Sequence, residues 1–353
     1  MKIAVTADLH LKSREECPER WNALENIINQ MLAEDIKILI IAGDLFNIES
    51  QNYSEFDEFC KQKKYEQIKF YIIPGNHDSN ISSRHFTAHN IEIFNNPHLI
   101  QLGEPPLSFF FLPYIPDKSM GEDIAKYKDT LSERWILIGH GDYLGGSRLP
   151  NPYEPGIYMP LSRSDIDYYK PAKAILGHIH KKMELGKTFY VGSPCGLDIN
   201  ETGKRSFLIL DTNNLNIIPK TVDTDYIFFN ETLIALPTEN EFDFIKNKIL
   251  DMVKKWDLSE SEISKARIRL EVKGYTSDKK QLETVIKDTL REIAFYNDEE
   301  PDLAEVAVFN DPERISIVEK VKEEIEKLEW NSRDDQTKKD DILEQTLKIV
   351  LRE

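Results

Sequence analysis

Cysteine is scarce in this chain, whose 353 residues include only Cys17, Cys60 and Cys195. The three are odd in number, widely spaced and form no Cys-x-x-Cys pair, which excludes a disulfide framework and leaves them as reduced, non-ligand thiols. Long apolar runs are missing too. None reaches the ~18 residues needed to cross a bilayer, and the first residues run directly into a strand rather than a signal peptide, so a cytoplasmic location with no membrane partner is expected. The sequence has no internal repeat, no low-complexity tract and no Gly-rich phosphate loop of the ATP-binding kind, so ATP hydrolysis by this chain is not expected. Nor is there a dense basic run. With a net charge of −17, the chain lacks the basic patch from which a free-standing DNA binder draws most of its affinity.

Apolar material is ample. A hydrophobic content of 40% over this length supports one large domain and one or two smaller ones. Five apolar runs, Lys2–Ala7, Ile38–Ala42, Phe70–Ile73, Trp135–Ile138 and Ala174–Leu176, read as buried parallel strands of an α/β fold. Each is followed at once by a polar motif. In order these are Asp8-Leu-His10, Gly43-Asp44, Gly75-Asn76-His77-Asp78, Gly139-His140 and Gly177-His178-Ile-His180. Taken singly, each would be an ordinary turn. Five in order at strand ends are different, because loops beyond the carboxyl ends of strands in an open α/β sheet gather at one crevice.

The ligand chemistry follows from residue type. Asp8 and His10, two apart on a chain leaving a strand, can face one metal ion. Asp44 has two oxygens and can bridge two cations at the ~3.5–4 Å separation of two-metal hydrolytic sites. Asn76 adds a carbonyl oxygen, and His140, His178 and His180 add imidazoles. This nitrogen and oxygen set without thiolate suits two divalent ions, manganese first, with iron, zinc or magnesium as alternatives. The glycines before Asp44, Asn76, His140 and His178 are expected to allow tight turns and close backbone approach to a phosphate. His85 and His89 have helical i, i+4 spacing but no third ligand, and read as ordinary surface histidines.

These motifs, in this order, resemble the calcineurin-like metallophosphoesterases. Gly43-Asp-Leu-Phe46, Phe111-Leu-Pro-Tyr114, Tyr158-Met-Pro-Leu161, Gly192-Ser-Pro194 and Lys204-Arg-Ser-Phe207 resemble more narrowly the SbcD-type DNA-repair nucleases that work with an SMC-like ABC ATPase. The resemblance covers about residues 1–222. It implies a β-sandwich flanked by helices. It also implies one metal held by Asp8, His10, Asp44 and His180, and a second by Asp44, Asn76, His140 and His178. His77 would be the catalytic acid that protonates the leaving oxygen as water attacks a phosphodiester in line, and Asp78 would orient it. Arg84, Tyr143 and the irregular segment from Tyr143 to Tyr158 are candidate substrate contacts. One departure stands out: SbcD-type chains carry a histidine after Gly-Asp-Leu-Phe where this one has Asn47, which can hydrogen-bond but cannot carry a proton at neutral pH. Slower turnover, or a shifted balance of exonuclease and endonuclease action, is the expected result.

Beyond the phosphoesterase domain, 1–222, residues 223–309 read as a small α+β unit. Its strands are Tyr226–Leu236, Ala266–Lys273 and Leu303–Phe309, and its helices Glu239–Trp256 and Gln281–Ile293. By resemblance it would cap the active site. In 310–353, an apolar stripe from Ile315 to Leu328 follows Pro312, and Ile342–Leu351 forms a second striped helix across a polar linker. By resemblance this helical pair would bind the ATPase through residues 312–353, and packing back onto the capping unit is the alternative. The whole pattern reads as a two-metal DNA nuclease with DNA and the ATPase as partners, and a homodimer is left open. A hydrolase of nucleotides or other small phosphoesters is the rival reading, and a non-catalytic scaffold ranks below both.

Overall fold

Each apolar run folds as a strand, and the computed structural model shows why its residues are apolar on both sides. It describes residues 1–48, 52–145, 156–238, 240–309 and 311–328, together with Lys339, Ile342, Leu343, Gln345, Thr346 and Ile349. In chain order the first elements are β1 (Lys2–Thr6), α1 (Pro18–Ala33), β2 (Ile38–Ala42), α2 (Tyr53–Cys60), β3 (Lys69–Ile73), β4 (Ile91–Ile93), β5 (His98–Leu102), β6 (Leu107–Leu112), α3 (Met120–Tyr127) and β7 (Trp135–His140). There follow β8 (Tyr143–Leu144), β9 (Leu161–Ser162), α4 (Arg163–Tyr169), β10 (Lys173–Gly177), β11 (Met183–Leu185), β12 (Thr188–Tyr190), β13 (Ser206–Asp211) and β14 (Ile217–Thr221).

The five predicted strands do not share one sheet, as an open α/β arrangement would require. Among the described residues one six-stranded sheet runs β14-β13-β1-β2-β3-β4 and another runs β11-β12-β10-β7-β6-β5. Side chains alternate across a strand, so each sheet has an inner and an outer face. Ile3, Val5, Ile40, Phe109, Phe111, Ile136, Ile138 and Ile175 form one buried cluster between the sheets. On the first sheet's outer face Leu39, Ile41, Phe70 and Ile72 meet Trp21, Leu24 and Ile28 of α1 and Phe56 and Phe59 of α2. On the second's, Phe110, Leu112, Leu137 and Leu176 meet Met120 and Ile124 of α3 and Ile166 of α4. This is the helix-flanked β-sandwich the family resemblance implies. Each fully buried Leu, Ile or Phe contributes about 1.5–3 kcal/mol, so apolar burial, and not the polar site, holds the frame.

The chain divides into two compact units, Met1–Leu197 with Lys204–Asp225, and Asp198–Gly203 with Tyr226–Glu353. The second contains β15 (Ile227–Ala235), α5 (Glu241–Lys255), α6 (Glu260–Ile263), β16 (Ala266–Thr276), α7 (Lys279–Thr289), β17 (Ala294–Phe295), β18 (Asp302–Val308) and α8 (Pro312–Lys327). β16 is central, parallel to β15 on one edge and to β17 and β18 in succession on the other. Ile268, Leu270 and Val272 of β16 pack with Ile245 and Ile249 of α5 and Leu282 and Ile286 of α7, the helical faces expected from their spacing. The tail joins this unit: Val318 and Ile325 of α8 and Leu343 cluster with Leu236. Ile317, Leu328, Ile342 and Ile349 stay exposed. The remainder of the second tail helix lies outside the described residues.

Candidate metal centre

The site is built where β1 and β2 stop being strands but stay paired. Past their ends Asp8 N donates to Gly43 O (3.1 Å), His10 N to Asp44 O (3.0 Å) and Leu11 N to Leu45 O (2.8 Å), so both loops leave in register. Asp8, His10 and Asp44 take left-handed backbones with φ of 53°, 46° and 51°, and His178 has φ 92°. Such conformations in non-glycine residues cost of order 1 kcal/mol each and cluster at functional sites. The glycines also do something not expected from the sequence. A Cβ on Gly43 (φ 91°) would collide with the His140 ring, one on Gly75 with the Asp44 carboxylate, and one on Gly177 with Ala42 O. They make room for the ligands themselves. Gly139 instead faces Leu176 and Met120, inside the apolar layer.

All seven predicted ligands come together. Asp8, His10 and His180 form one group of donor atoms lying within 4.8 Å of one another, and Asp8, Asp44 and His140 form another. Asp44 Oδ2 lies 3.6 Å from His10 Nε2 and 3.3 Å from His140 Nε2, between the two halves of the site, as a bridging carboxylate would. On one side of it His10 Nε2 and His180 Nε2 face each other at 3.1 Å. On the other, Asn76 Oδ1 lies 2.9 Å from His140 Nε2 and 3.2 Å from His178 Nδ1. His140 Nδ1 lies 2.9 Å from Ala42 O, which places a proton on Nδ1 and turns Nε2 inward. Asp8, His10, Asp44, His140 and His178 are buried, whereas Asn76, His77 and His180 are half-buried, so the site opens along those three.

Electrostatics in the absence of a cation are unfavourable. Burial pushes the Asp8 carboxyl up to about 6, against the pull of His180 and His140. His10 is driven well below its ordinary range by burial, which keeps it neutral. Burial also works against charge on Asp44 and His140, yet His140, His10 and His77 hold Asp44 far below the usual carboxylate range, and Asp44 and Asp8 raise His140 to about 10. Asp8 Oδ2, fully buried, has no hydrogen-bond partner. An orphaned buried oxygen costs about 1–3 kcal/mol, and a cation beside it removes that cost. The donor set therefore fits two divalent ions, one at Asp8, His10, Asp44 and His180, the other at Asp44, Asn76, His140 and His178. Bound there, such ions supply Lewis-acid stabilisation of a phosphoryl group.

Around the ligands the expectations fare unevenly. His77 stands beside the pair of halves: its amide donates to Asp44 Oδ1 (2.9 Å) and its ring is 4.6 Å, edge-on, from that of His10. Asp78 was expected to hold the His77 ring. Its oxygens instead accept from the amides of Gly75 (2.7 Å) and Phe46 (3.2 Å), because the carboxylate folds back under a tight turn. Burial and the nearby Asp44 raise its pKa to about 7. Asn47 is half-buried with its amide on Leu11 O (3.2 Å). Arg84 is exposed on the 3-10 turn Ser83–His85, its Nε donating to Ser82 Oγ (3.1 Å), and no contact described for it reaches a ligand. His89 lies beyond that turn, so it and His85 share no helix. Tyr143, in β8, donates its amide to the Tyr190 hydroxyl (2.6 Å), and 146–155 of its loop lie outside the described residues.

Two neighbours were not singled out from the sequence, and a third, Tyr158, closes the segment read there as a possible substrate contact. The Tyr158 ring lies 4.9 Å from that of His178. Arg20 donates to His10 O, and Arg205 to His180 O. Tyr158 and Arg205 fall within runs that carried the family resemblance, which was the available signal. Arg20, on α1, had none.

The family model described as calcineurin-like phosphoesterase matches residues 1–182, and those residues contain every ligand named above. A search of curated proteins finds no match. Among solved structures the chain is similar to that of an archaeal phosphodiesterase, at 16% identity and a TM-score of 0.34, over 63% of this chain and all of that one. No helix among the described residues is long and apolar enough to cross a membrane. With the family model spanning more than half the chain, this protein belongs to the calcineurin-like phosphoesterases and is a metal-dependent phosphoester hydrolase.

Proposed function

We propose that the chain is a manganese-dependent DNA nuclease of the SbcD type, hydrolysing phosphodiesters as the nuclease subunit beside an SMC-like ABC ATPase. The observation that carries the reading is His77, half-buried at the open rim and edge-on to His10 (4.6 Å). A phosphodiester leaves as a sugar alkoxide, which needs a proton, and an imidazole at the mouth of the site is the group that can deliver one. The SbcD-type motifs and the α+β unit that follows the catalytic one support DNA as substrate. The net charge of −17 assigns much of the grip on DNA to the partner. Val318, Ile325 and Leu343 are already used in packing on Leu236, so the ATPase would take the exposed Ile317, Leu328, Ile342 and Ile349. Ile317→Glu with Leu328→Glu should then abolish association with a co-expressed ATPase, and unchanged association would remove that partner surface.

A small-molecule phosphodiesterase is the second reading, favoured by the acidic surface. The deciding experiment is manganese-dependent cleavage of end-labelled duplex and single-stranded DNA beside a generic phosphodiester and a phosphomonoester, with wild type and His140→Ala. DNA cleavage lost in the variant supports the nuclease. Turnover of the small esters alone supports the second reading.

A further inference from the structure

Two arginines from unrelated stretches of the first unit each bond the main-chain carbonyl of a metal-site histidine. Arg20, on α1, donates through Nη1 to His10 O. Arg205, just before β13, donates through Nη2 to His180 O and to Ser193 Oγ (2.6 Å), and through Nε to Ser193 O (3.1 Å). Ser193, itself buried, returns its amide to His180 O (3.1 Å). The two histidines so held are the pair whose Nε2 atoms face each other at 3.1 Å. Their partners on the other side of Asp44 are fixed differently, His140 through its ring on Ala42 O.

The placement is informative because a guanidinium beside a cation site is electrostatically unfavourable unless its charge is directed elsewhere. Here Arg20 meets His10 O, with Glu19 Oε1 3.8 Å from its Nε, and Arg205 meets the carbonyls of His180 and Ser193 and the Ser193 hydroxyl. His10 has a left-handed backbone (φ 46°) that its amide bond to Asp44 O holds from one side and Arg20 from the other. His180, two residues past the left-handed His178, is held at its carbonyl by the fork of Arg205. A rotation of either backbone would swing an imidazole out of line with its neighbour.

We propose that Arg20 and Arg205 are positioning residues for the ion held by Asp8, His10 and His180, and not for the ion at Asn76, His140 and His178. This rests on the two-metal reading of the site. Loss of either guanidinium should weaken one of two Mn2+ ions by about tenfold, the lower end of what supporting contacts to ligands usually contribute, and leave the other unchanged. Arg20 supplies one donor to its carbonyl, so Arg20→Lys should restore tight binding. Arg205 uses a planar fork that an ammonium cannot copy, so Arg205→Lys should not.

The test is Mn2+ binding by the full-length protein, followed by calorimetry and by electron paramagnetic resonance of the paired ions, in wild type, Arg20→Ala, Arg205→Ala and both lysine variants. Arg134→Ala serves as control, since Arg134 Nη2 donates to an exposed carbonyl, Asn213 O (2.9 Å), away from the ligands. The expected result is two ions in wild type and in Arg134→Ala, with one ion selectively weakened and the paired-ion signal lost in Arg20→Ala, Arg205→Ala and Arg205→Lys. Two unchanged affinities in both alanine variants, or an equal fall for both ions, would overturn the inference. Should the alanine variants fail to fold, the lysine pair decides, because equal affinities in Arg20→Lys and Arg205→Lys contradict it. Wild type that binds no Mn2+ would instead overturn the two-metal reading on which it rests.

Discussion

Each unit buries a carboxylate, and the two are treated in opposite ways. Glu241 of the second unit is 2% exposed and is met by the Thr276 hydroxyl, the Ser277 amide (2.9 Å) and the Ser277 hydroxyl (2.7 Å). Asp8 of the first unit is 0% exposed. Its Oδ1 accepts from His178 N (2.9 Å), while Oδ2 is left without a hydrogen-bond partner among imidazoles. A satisfied buried acid is structural: it ties the start of α5 to the end of β16. An unsatisfied one, set among imidazoles and placed on strained backbone, is a binding group whose partner is a cation. Burial is equal in the two cases, and hydrogen-bond satisfaction separates them.

That contrast can be broken at several points. The largest effect is expected at the shared ligand. Asp44→Ala should lower kcat on a phosphodiester by roughly three orders of magnitude or more, equivalent to about 4 kcal/mol of transition-state stabilisation, with single-turnover kinetics as the check. Next comes metal linkage. Mn2+ at a hundred times its dissociation constant should add about 2.7 kcal/mol to stability, read as a rise in melting temperature that chelation reverses. Glu241→Ala leaves three buried or half-buried donors unmet, and should cost the second unit about 1–3 kcal/mol in chemical denaturation without changing turnover of a small ester.

Asp8 should respond in the reverse sense. Its proton affinity in the folded protein is raised to about 6 from an ordinary 3.8, so the folded state favours the protonated form and charge on Asp8 costs stability as the pH climbs through that range. In chelator, Asp8→Asn should therefore melt higher than wild type above pH ~7, by on the order of 1 kcal/mol, with the advantage shrinking below pH ~4. A lower melting temperature at neutral pH would place Asp8 with Glu241 as a structural acid. The smallest effect is at Asn47, where a histidine should raise turnover by about threefold to tenfold, a proton-transfer contribution well under that of a full catalytic acid. Unchanged rates on every DNA end type would remove the role given to that position.

Much of the site was legible in the sequence because strand and ligand adjoin. A run such as Ile38–Ala42 must be buried on both faces, so the first polar residues after it, Gly43 and Asp44, must lie beyond the strand's carboxyl end. What escaped was whatever depends on tertiary packing. The runs of β1 to β3 and of β7 and β10 look alike, and nothing in them says that they belong to two sheets facing each other. Asp78 looks like a partner for the His77 ring, but a turn four residues long brings its oxygens under Gly75 N. Arg20 and Arg205 reach the metal-site histidines through main-chain carbonyls, which any residue presents, so their roles leave no mark of residue type on His10 or His180. The second unit's helices were legible from their apolar spacing. The excursion of Asp198–Gly203 into that unit was not, since it is a short polar stretch inside the first unit's sequence.

The central claim is that a bridging Asp44 stands between two cation sites. Anomalous diffraction from crystals soaked in Mn2+ tests it most directly. Two peaks are predicted, one among Asp8, His10 and His180 and one among Asn76, His140 and His178, with Asp44 contacting both. A single peak, or two that do not share Asp44, would contradict it.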